Sequence, residues 1–416
     1  MRKRKSAPSK KLYLPSDMQL SLRNLFLRHV AQTSPAPLAL EVVRAEGIFL
    51  YGLNGEKWLD LISGISVSNV GHRHPEVLEA IHQQLEKYMH LMVYGEYVQS
   101  PQVLLAQRLS TLIPGLDSVY FVNSGAEAIE GSIKLARRVT GRKKIIAFKN
   151  AYHGSTTGAL SLMSDPYFKE PFQPLLPEVI HLNPDDFRSL EFIDETTAAV
   201  FTEVIRGEAG AIPVSTEFLQ ALRARCTETG AMMVLDEIQT GFGRTGTFFA
   251  CQQHGITPDI LVMAKGMGGG MPIGAFMSSY SYMQQLTDQP VLGHITTFGG
   301  HPVSCAASIA TFDIIQRLNI QETVPALEAI VRKELQHPSI VQISGKGLLL
   351  AIEFADQAFA QRVIAGCVEA GVITDWFLFA PQKLRICPPL TISGEELSNA
   401  CRIILSVIDK CYKADL

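Results

Sequence analysis

The sequence predicts an α/β protein in which helices cover both faces of a mostly parallel sheet. From residue 118 onward, short apolar runs alternate with stretches of helical periodicity, which is the pattern of successive strand–helix units. The chain has 416 residues, of which 47% are hydrophobic, so it can bury a large core in about two domains. Residues 63–305 are expected to form the large domain and residues 306–416 a smaller, mixed one.

The N-terminal part, residues 17–62, is expected to pack with the small domain as a helix and a strand meander. Apolar residues recur at helical spacing between positions 17 and 31, which predicts an amphipathic helix. Two apolar runs, 48–51 and 58–61, flank Asn54-Gly55, a dipeptide typical of hairpin turns. Residues 1–16 begin with Met and four basic residues and lack an apolar core, so they are expected to be a disordered basic arm.

The large and small domains carry the remaining predicted elements. Proline at position 75 favours a helix through residue 88, and a second helix covers about 101–112. Strands are predicted at 119–122, 144–148, 198–203, 232–235, 260–263 and 275–278, with a helix at 128–140. A long helix after residue 302 leads to a strand at 347–354, a helix at 358–370 and a strand at 384–386.

Composition restricts the partners that the protein can have. There are 37 Lys and Arg against 40 Asp and Glu, so the charge balance favours neither nucleic acid nor an anionic membrane, and small molecules are the expected partners. The seven cysteines are scattered and never form a C-x-x-C pair, which argues against a disulfide framework or a metal site and fits a reducing cytoplasm. No apolar run is long enough to cross a bilayer.

Lys265 is the residue around which the candidate site is organised. It follows the apolar run 258–263 and precedes a turn with glycine at 266, 268, 269 and 270. Glycine lets the backbone pass close to a ligand, so Lys265 is expected in a tight, partly dry place. Burial disfavours the ammonium form, which leaves an amine able to form a Schiff base with an aldehyde. The alternative for an isolated lysine is a solvated loop position.

Other candidate residues follow the predicted strands, where ligands of parallel sheets bind. Asp236 ends an apolar strand and needs a cationic partner there; the alternative is a helix cap. The turn Ser124-Gly125-Ala126 joins a strand to a helix N-terminus, which is a site for an anion. Tyr152 could lie flat on a ring.

These segments together resemble the class III aminotransferases, which are pyridoxal-phosphate enzymes of fold type I. The resemblance covers residues 38–416 and is nearest in pattern to the ornithine, acetylornithine and 4-aminobutyrate aminotransferases. It implies a mostly parallel, seven-stranded sheet in the large domain, and a small domain formed by the C-terminus together with the N-terminal segment. Six segments occur in the family's order, at 64–75, 123–128 (N-S-G-A-E-A), 152–154 (Y-H-G), 236–246 (D-E-I-Q-T-G-F-G-R-T-G), 264–266 (A-K-G) and 296–300 (T-T-F-G-G).

The resemblance also implies how pyridoxal phosphate would be held. Lys265 matches the Schiff-base lysine, which later moves the proton as a base, and Asp236 matches the acid that keeps the pyridine nitrogen protonated. The other expected cofactor residues are Gln239 at the phenolic oxygen, Tyr152 and Ile238 on the two ring faces, the amides of Gly125 and Ala126 next to Ser124 at the phosphate, His153 and Glu203 in support, and Thr297. Because Thr297 resembles a threonine that closes the phosphate site of the neighbouring subunit, a homodimer with shared active sites is expected.

Two residues are expected to select the substrate. Arg385 matches the arginine that grips a substrate carboxylate, and Glu208 matches the glutamate that covers this arginine when the other substrate is bound. The relatives usually carry an arginine after the Y-H-G segment, whereas this chain has Ser155, which argues against ornithine, acetylornithine and 4-aminobutyrate as donors. His301 replaces the family's usual asparagine, and the sequence gives no functional account of it.

The expected function is transamination from an amine or amino acid to a 2-oxo acid, with 2-oxoglutarate favoured, by a ping-pong mechanism through a Lys265 aldimine. An amino-acid racemase or an aminomutase on the same fold is the alternative, although the Glu208 and Arg385 pair favours a two-substrate enzyme. A non-catalytic nucleotide-binding protein is the third interpretation. It is disfavoured because the glycine-rich run 266–274 contains neither G-x-G-x-x-G opening a helix nor G-K-[ST].

Overall fold

The computed structural model describes residues 21–415, so the predicted basic arm at residues 1–16 lies outside the described part. The predicted helix at 17–31 is shorter where it is described, because it begins after Ser21, whose hydroxyl caps it, and none of its residues is buried. The first elements are α1 (Leu22–His29), β1 (Val42–Glu46), β2 (Phe49–Gly52), β3 (Lys57–Asp60), α2 (Ser63–Ser66), α3 (Pro75–Lys87) and α4 (Ser100–Ser110).

The central part of the chain alternates strands and helices, as the sequence pattern predicts. Its elements are β4 (Ser118–Val122), α5 (Gly125–Thr140), β5 (Lys144–Phe148), α6 (Thr157–Ser161), α7 (Pro166–Lys169), β6 (Val179–Leu182), β7 (Thr197–Glu203), β8 (Ile205–Arg206), β9 (Ile212–Pro213), α8 (Thr216–Thr229), β10 (Met232–Asp236), β11 (Ile260–Met263), β12 (Gly274–Ser278) and α9 (Tyr280–Met283).

Seven of these strands form one sheet in the order β4-β12-β11-β10-β7-β5-β6. Strand β12 runs antiparallel to both neighbours and the other adjacent pairs are parallel, so the predicted mostly parallel, seven-stranded sheet is confirmed. The sequence analysis missed β6, an edge strand that is only partly buried and therefore lacks a continuous apolar run.

The C-terminal part forms a smaller mixed unit. Its elements are α10 (Pro302–Arg317), α11 (Ile320–Glu334), β13 (Gln342–Lys346), β14 (Leu349–Glu353), α12 (Gln357–Glu369), β15 (Val372–Ile373), β16 (Trp376–Phe377), β17 (Ala380–Ile386) and α13 (Gly394–Asp415). Strand β15 pairs with β3, so the C-terminal part and the N-terminal meander share a sheet, as the predicted fold class requires. Helix α10 continues through residue 305, so a domain boundary at that residue would fall inside a helix. Within residues 21–415, no helix has both the length and the apolar character that crossing a membrane requires.

The register of the buried strands decides which polar residues meet. Every residue of β7, β10 and β11 is buried, which is typical of parallel strands covered on both faces. Glu203 ends β7 and pairs directly with Asp236, which ends β10. Lys265 lies two residues beyond the end of β11, the next strand. Three ionisable side chains therefore emerge at one edge of the sheet.

Arg244 ties this edge to the rest of the molecule. Its side chain is completely buried, and its guanidinium donates to the carbonyl oxygens of Leu348 (3.0 Å) and Pro388 and to Oδ1 of Asn69 (2.5 Å). Burial lowers the pKa of Arg244, and no carboxylate of the described residues forms an ion pair with it. The loop after β10, the C-terminal part and the N-terminal segment are thus joined at one cation.

We expect Arg244→Ala to lower the free energy of unfolding by about 3 to 5 kcal/mol, because it removes three hydrogen bonds from a charged donor and leaves buried acceptors without partners. Urea unfolding followed by circular dichroism measures the loss. Arg225→Ala is the matched control: Arg225 also bonds a main-chain carbonyl, that of Ile193, but lies at the surface, so its loss should be below about 1 kcal/mol. Equal losses in the two variants would contradict a special role of Arg244.

Candidate active site

A cavity of about 500 Å³ opens at the carboxyl edge of the large sheet. Its size is that of a pocket for a small organic ligand. Eleven of the residues that the sequence analysis selected line it, namely Ser124, Gly125, Ala126, Tyr152, His153, Glu203, Glu208, Asp236, Ile238, Gln239 and Lys265. Arg385 lies behind Glu208, and Thr297 is exposed and does not line this cavity.

Lys265 enters the cavity from a strained backbone. Its φ is 46°, in the left-handed region that costs a residue with a side chain roughly 1 kcal/mol or more. Gly266 allows this turn, because a Cβ there would lie 2.4 Å from Nδ2 of Asn69. Burial lowers the pKa of the Lys265 amine, while the negative charge of Glu208 opposes this shift. The direction is the one that the sequence analysis expected for a lysine in a dry place.

Asp236 has the cationic partner that its buried position requires. Oδ2 of Asp236 lies 2.7 Å from Nδ1 of His153, and Oδ1 accepts the backbone N–H of Ile238 at 2.9 Å. Burial alone would lower the pKa of His153, but the hydrogen bond and charge of Asp236, together with Glu203, outweigh it and raise the pKa. Asp236 is therefore fixed at both oxygens, and it lines the cavity with His153 behind it.

Glu203 links two walls of the cavity. Oε1 accepts the backbone N–H of Tyr152 (3.1 Å) and Oε2 that of Gly207 (2.8 Å). Burial raises its pKa to about 7; the charge of His153 opposes this rise and that of Asp236 adds to it. The side chain therefore positions the segment that carries Tyr152 and the loop that carries Glu208.

The N-terminus of α5 offers unpaired donors to the cavity. Ser124 caps the helix, its Oγ accepting the N–H of Glu127 at 3.2 Å. The first backbone amides of a helix, here Gly125 and Ala126, have no acceptor inside it. Gly125 also makes room for Ile238, since a Cβ at residue 125 would lie 2.7 Å from its Cδ1. An anion at this end would meet two free N–H groups and the positive end of the helix dipole.

Glu208 and Arg385 form a buried, bidentate ion pair. Nη1 and Nη2 of Arg385 donate to Oε1 and Oε2 of Glu208, both at 3.0 Å. Leu378 N–H (3.1 Å) and Gln239 Nε2 (3.2 Å) also donate to the carboxylate. Burial would raise the pKa of Glu208, but the charge and hydrogen bonds of Arg385 outweigh this effect and lower it. The carboxylate is therefore ionised and covers the arginine.

One end of the cavity has neutral polar groups. The hydroxyl of Tyr152 and Oγ of Ser155 lie 3.2 Å apart. Lys265 is the only lysine or arginine among the described residues that line the cavity. As long as Glu208 covers Arg385, the cavity therefore has no arginine that could bind a second anionic group.

The sequence analysis missed Asp375, and it gave no account of His301. Oδ1 of Asp375 accepts a hydrogen bond from Nε of Arg385 at 2.8 Å. Asp375 follows β15 and lies across a hairpin from Arg385. This proximity becomes visible only when β16 and β17 are known to pair. His301 caps α10, because its Nδ1 accepts the N–H of Val303 at 3.3 Å, and this is the work of an asparagine at such a position.

Comparisons with known proteins agree with this geometry. The family model for aminotransferase class-III matches residues 30–408. An acetylornithine aminotransferase from Archaeoglobus fulgidus is 37% identical over 381 residues, which cover 91% of this chain and 98% of that protein. A LysW-aminoadipate semialdehyde/glutamate semialdehyde transaminase from Sulfurisphaera tokodaii is 39% identical, with 87% and 94% covered.

Solved structures with the same fold also match nearly the whole chain. An ornithine aminotransferase from Toxoplasma gondii, with pyridoxal phosphate at partial occupancy, superimposes with a TM-score of 0.88 at 28% identity and covers 94% of each chain. An (S)-enantioselective omega-transaminase from Thermomicrobium roseum has a TM-score of 0.86 at 29% identity, with 94% of this chain and 98% of that chain covered.

Proposed function

The chain belongs to the class III aminotransferases, and we propose that Lys265, Asp236 and the N-terminus of α5 hold its pyridoxal phosphate for amino transfer to 2-oxoglutarate. The observation that carries this proposal is that Lys265, the Asp236–His153 pair and the amides of Gly125 and Ala126 line one cavity. Transamination by a pyridoxal-phosphate enzyme is the activity of the family. The acceptor and the residue roles are our inference.

The donor groups in the cavity fit this cofactor. Free helix amides suit its phosphate, a carboxylate backed by an imidazole suits its ring nitrogen, and an amine suits its aldehyde. Gly125 leaves the space in which Ile238 reaches the cavity opposite Tyr152, and Gln239 would meet the phenolic oxygen. Bound there, pyridoxal phosphate supplies an electron sink that lets the donor lose the proton from its amine-bearing carbon.

The side chains of this protein would move and hold the protons. Burial lowers the pKa of the Lys265 amine, which favours the neutral form that can act as a base. Asp236 would hold the proton on the ring nitrogen, since an anion next to a cation favours the charged form. His153 would position Asp236 through their 2.7 Å contact and take no part in proton transfer itself.

Glu208 and Arg385 would let one pocket accept two unlike substrates. With the pair closed, the arginine is neutralised and a donor without an anionic distal end can bind. When 2-oxoglutarate arrives, its distal carboxylate would take the place of Glu208 on Nη1 and Nη2. Ser155 adds no second cation, so Arg385 is the group that would bind any distal carboxylate. This argument favours a transaminase over a racemase or aminomutase, which has no second substrate to admit.

We propose a homodimer that shares its active sites, and an exposed apolar surface supports it. A second cavity, of about 530 Å³, is lined by residues from 93–106 and from 291–299. Apolar side chains there are unusually exposed for a soluble protein, and such patches mark interaction sites. Val103 (51%), Val291 (69%) and Ile295 (50%) line the cavity, and Tyr97 (53%) and Val98 (94%) are exposed in the chain segment between two groups of its lining residues. Thr297 is exposed beside them, where a partner's phosphate site could reach it.

We also propose a cytoplasmic location. All seven cysteines are free thiols, and six of them are buried, which suits a reducing compartment.

A panel of ω-amines, diamines and α-amino acids tests the donor and the acceptor separately. Each donor is scored by bleaching of the yellow absorbance of the bound cofactor, and the acceptor by the return of that absorbance with 2-oxoglutarate.

Lys265→Ala should abolish transamination, because no other amine of the described residues lines the cavity. Amino transfer to 2-oxoglutarate is measured with the best donor of the panel, and cofactor content is measured on the same sample. Lys144→Ala removes a lysine that pairs with Asp194 outside the cavity and should keep activity within about twofold. A Lys265→Ala enzyme with near wild-type turnover would overturn the assignment.

Gly125→Ala should weaken cofactor binding, because the new methyl group would lie 2.7 Å from Ile238 and push it toward the ring. Overpacking of this kind is worth roughly 1 to 3 kcal/mol, or about 5-fold to 150-fold in the dissociation constant of pyridoxal phosphate. Equilibrium dialysis measures it without any turnover. Gly394→Ala is the control. A Cβ at residue 394 would lie 3.1 Å from Cδ1 of Ile330, and neither residue lines the cavity, so this variant should bind pyridoxal phosphate normally. An unchanged dissociation constant in Gly125→Ala would contradict the placement of the ring against Ile238.

Arg385→Ala should lower kcat/KM for 2-oxoglutarate about 30-fold or more, since a buried bidentate carboxylate contact is worth roughly 2 to 5 kcal/mol. Glu208→Ala should act in the opposite sense: with the arginine uncovered, glutamate becomes a better donor. Half-reactions followed by absorbance, one substrate at a time, separate these effects. If each variant lost the donor and acceptor half-reactions equally, the exchange of Glu208 for substrate would be refuted.

A further inference from the structure

Arg385 is held by two carboxylates that occupy different edges of its guanidinium group. Glu208 takes Nη1 and Nη2, both at 3.0 Å, while Asp375 takes Nε at 2.8 Å. The arginine side chain is 2% exposed, so its partners decide whether the charge is compensated. One carboxylate faces the cavity and the other does not line it.

The two carboxylates differ in how they are attached to the arginine. The backbone N–H of Arg385 donates to the carbonyl oxygen of Asp375 at 2.9 Å, and Oγ1 of Thr374 donates to the carbonyl oxygen of Arg385 at 2.6 Å. Main-chain hydrogen bonds therefore join the segments of residues 375 and 385 across one hairpin. Glu208 comes from the loop between β8 and β9, and its carbonyl oxygen accepts the N–H of Phe379 at 3.0 Å, but it contacts Arg385 through its side chain alone.

The exchange of Glu208 for a substrate carboxylate creates a physical difficulty. Without Asp375, a buried guanidinium that lost both bonds to Glu208 would be left as an uncompensated cation, free to turn. Two other contacts remain, since Nη2 donates to the carbonyl of Trp376 at 3.1 Å and the ring of Phe377 lies 4.1 Å from the guanidinium carbon. Both are neutral, so neither replaces the lost negative charge.

We propose that Asp375 is the permanent partner of Arg385, a positioning residue that keeps the guanidinium oriented and compensated while Glu208 gives way to the distal carboxylate of the acceptor. This inference rests on the proposed function, in which 2-oxoglutarate is the acceptor. With Nε engaged by Asp375, only the Nη1 and Nη2 edge can face the cavity. That edge can bind a carboxylate bidentately, as it does with Glu208.

The pKa of Asp375 reflects both its burial and the charges of its neighbours. Burial raises the pKa of Asp375 to about 6; Arg385 opposes this rise, and the charge of Glu208 adds to it. Because one carboxylate replaces another on the Nη edge, the total charge around Asp375 is the same in both half-reactions. Asp375 can therefore stay ionised and bonded at pH 8 throughout the cycle.

Two variants separate orientation from charge in the holoenzyme at pH 8. Asp375→Ala removes the acceptor of the Nε bond, whereas Asp375→Asn keeps an oxygen there without the charge. The probe is glutarate, a dicarboxylate with no oxo group, titrated by calorimetry, together with single-turnover rates for 2-oxoglutarate and for the best donor of the amine panel. We expect Asp375→Ala to weaken glutarate roughly 10-fold or more and to raise the KM for 2-oxoglutarate similarly, because a hydrogen bond to a charged group is lost.

The donor half-reaction should change less than about threefold in both variants, since Glu208 still orients Arg385 there. Asp375→Asn restores an acceptor for Nε without the negative charge, so it should recover only part of the glutarate affinity that Asp375→Ala loses. Asp259→Asn is the control: Asp259 pairs with Arg223 at 2.6 Å and is as exposed as Asp375 (25% against 24%), but it precedes β11, at the opposite edge of the sheet. It should leave both half-reactions unchanged.

Equal losses for donor and acceptor, wild-type glutarate affinity in Asp375→Ala, or failure of Asp375→Asn to recover any of the lost affinity would each overturn the positioning role. A wild-type enzyme that transaminates but binds neither glutarate nor 2-oxoglutarate would refute the proposed acceptor and this inference with it. A wild-type enzyme that binds both, with variants that bind equally well, would refute the inference alone.

Discussion

The parallel register of three buried strands is the constraint on which the active site depends. Because β7, β10 and β11 lie side by side with no offset that would separate their ends, Glu203 and Asp236 are direct neighbours and Lys265 follows on the next strand. Their burial on both faces makes this register difficult to change, since a slip of one residue would turn polar side chains into the core. The chemistry of the site is thus a property of the sheet and not of any one loop.

Bringing so many ionisable groups to one buried edge requires that each be compensated. Asp236 is paired with His153 and Glu208 with Arg385, while Glu203 is held by two backbone amides, which neutralise it only in part. Burial raises the pKa of Glu203 to about 7, and the hydrogen bonds from these two amides offset that rise only in part. Glu237, which follows Asp236 directly, has a structural role. It is buried, and its carboxylate accepts the N–H groups of Ala250 and Cys251.

Two segments beside the cavity have residues in the left-handed backbone region. Lys265 is one of them, and the turn at residues 63–66, four consecutive residues with φ between 50° and 64°, is the other. Strain of this kind persists only where the surroundings fix it. Asp60 does so by accepting the N–H groups of Ile62 (2.9 Å) and Ser63 (2.8 Å), which holds the turn directly before Val67, a residue of the cavity wall.

The sequence by itself determined the fold class, the family and the lysine, because apolar runs of strand length, glycines at fixed positions and six ordered motifs are local patterns that survive without coordinates. It also selected Asp236 from its place at a strand end, and Glu208 and Arg385 from their match to residues of the family. Only the tertiary structure decided the partners: that His153 compensates Asp236, that Arg244 bonds carbonyl oxygens from distant segments, and that Asp375 shares Arg385 with Glu208. These pairs join residues that are up to 177 positions apart or lie across a hairpin, and no periodicity along the chain encodes which two side chains a folded backbone will bring within hydrogen-bond distance.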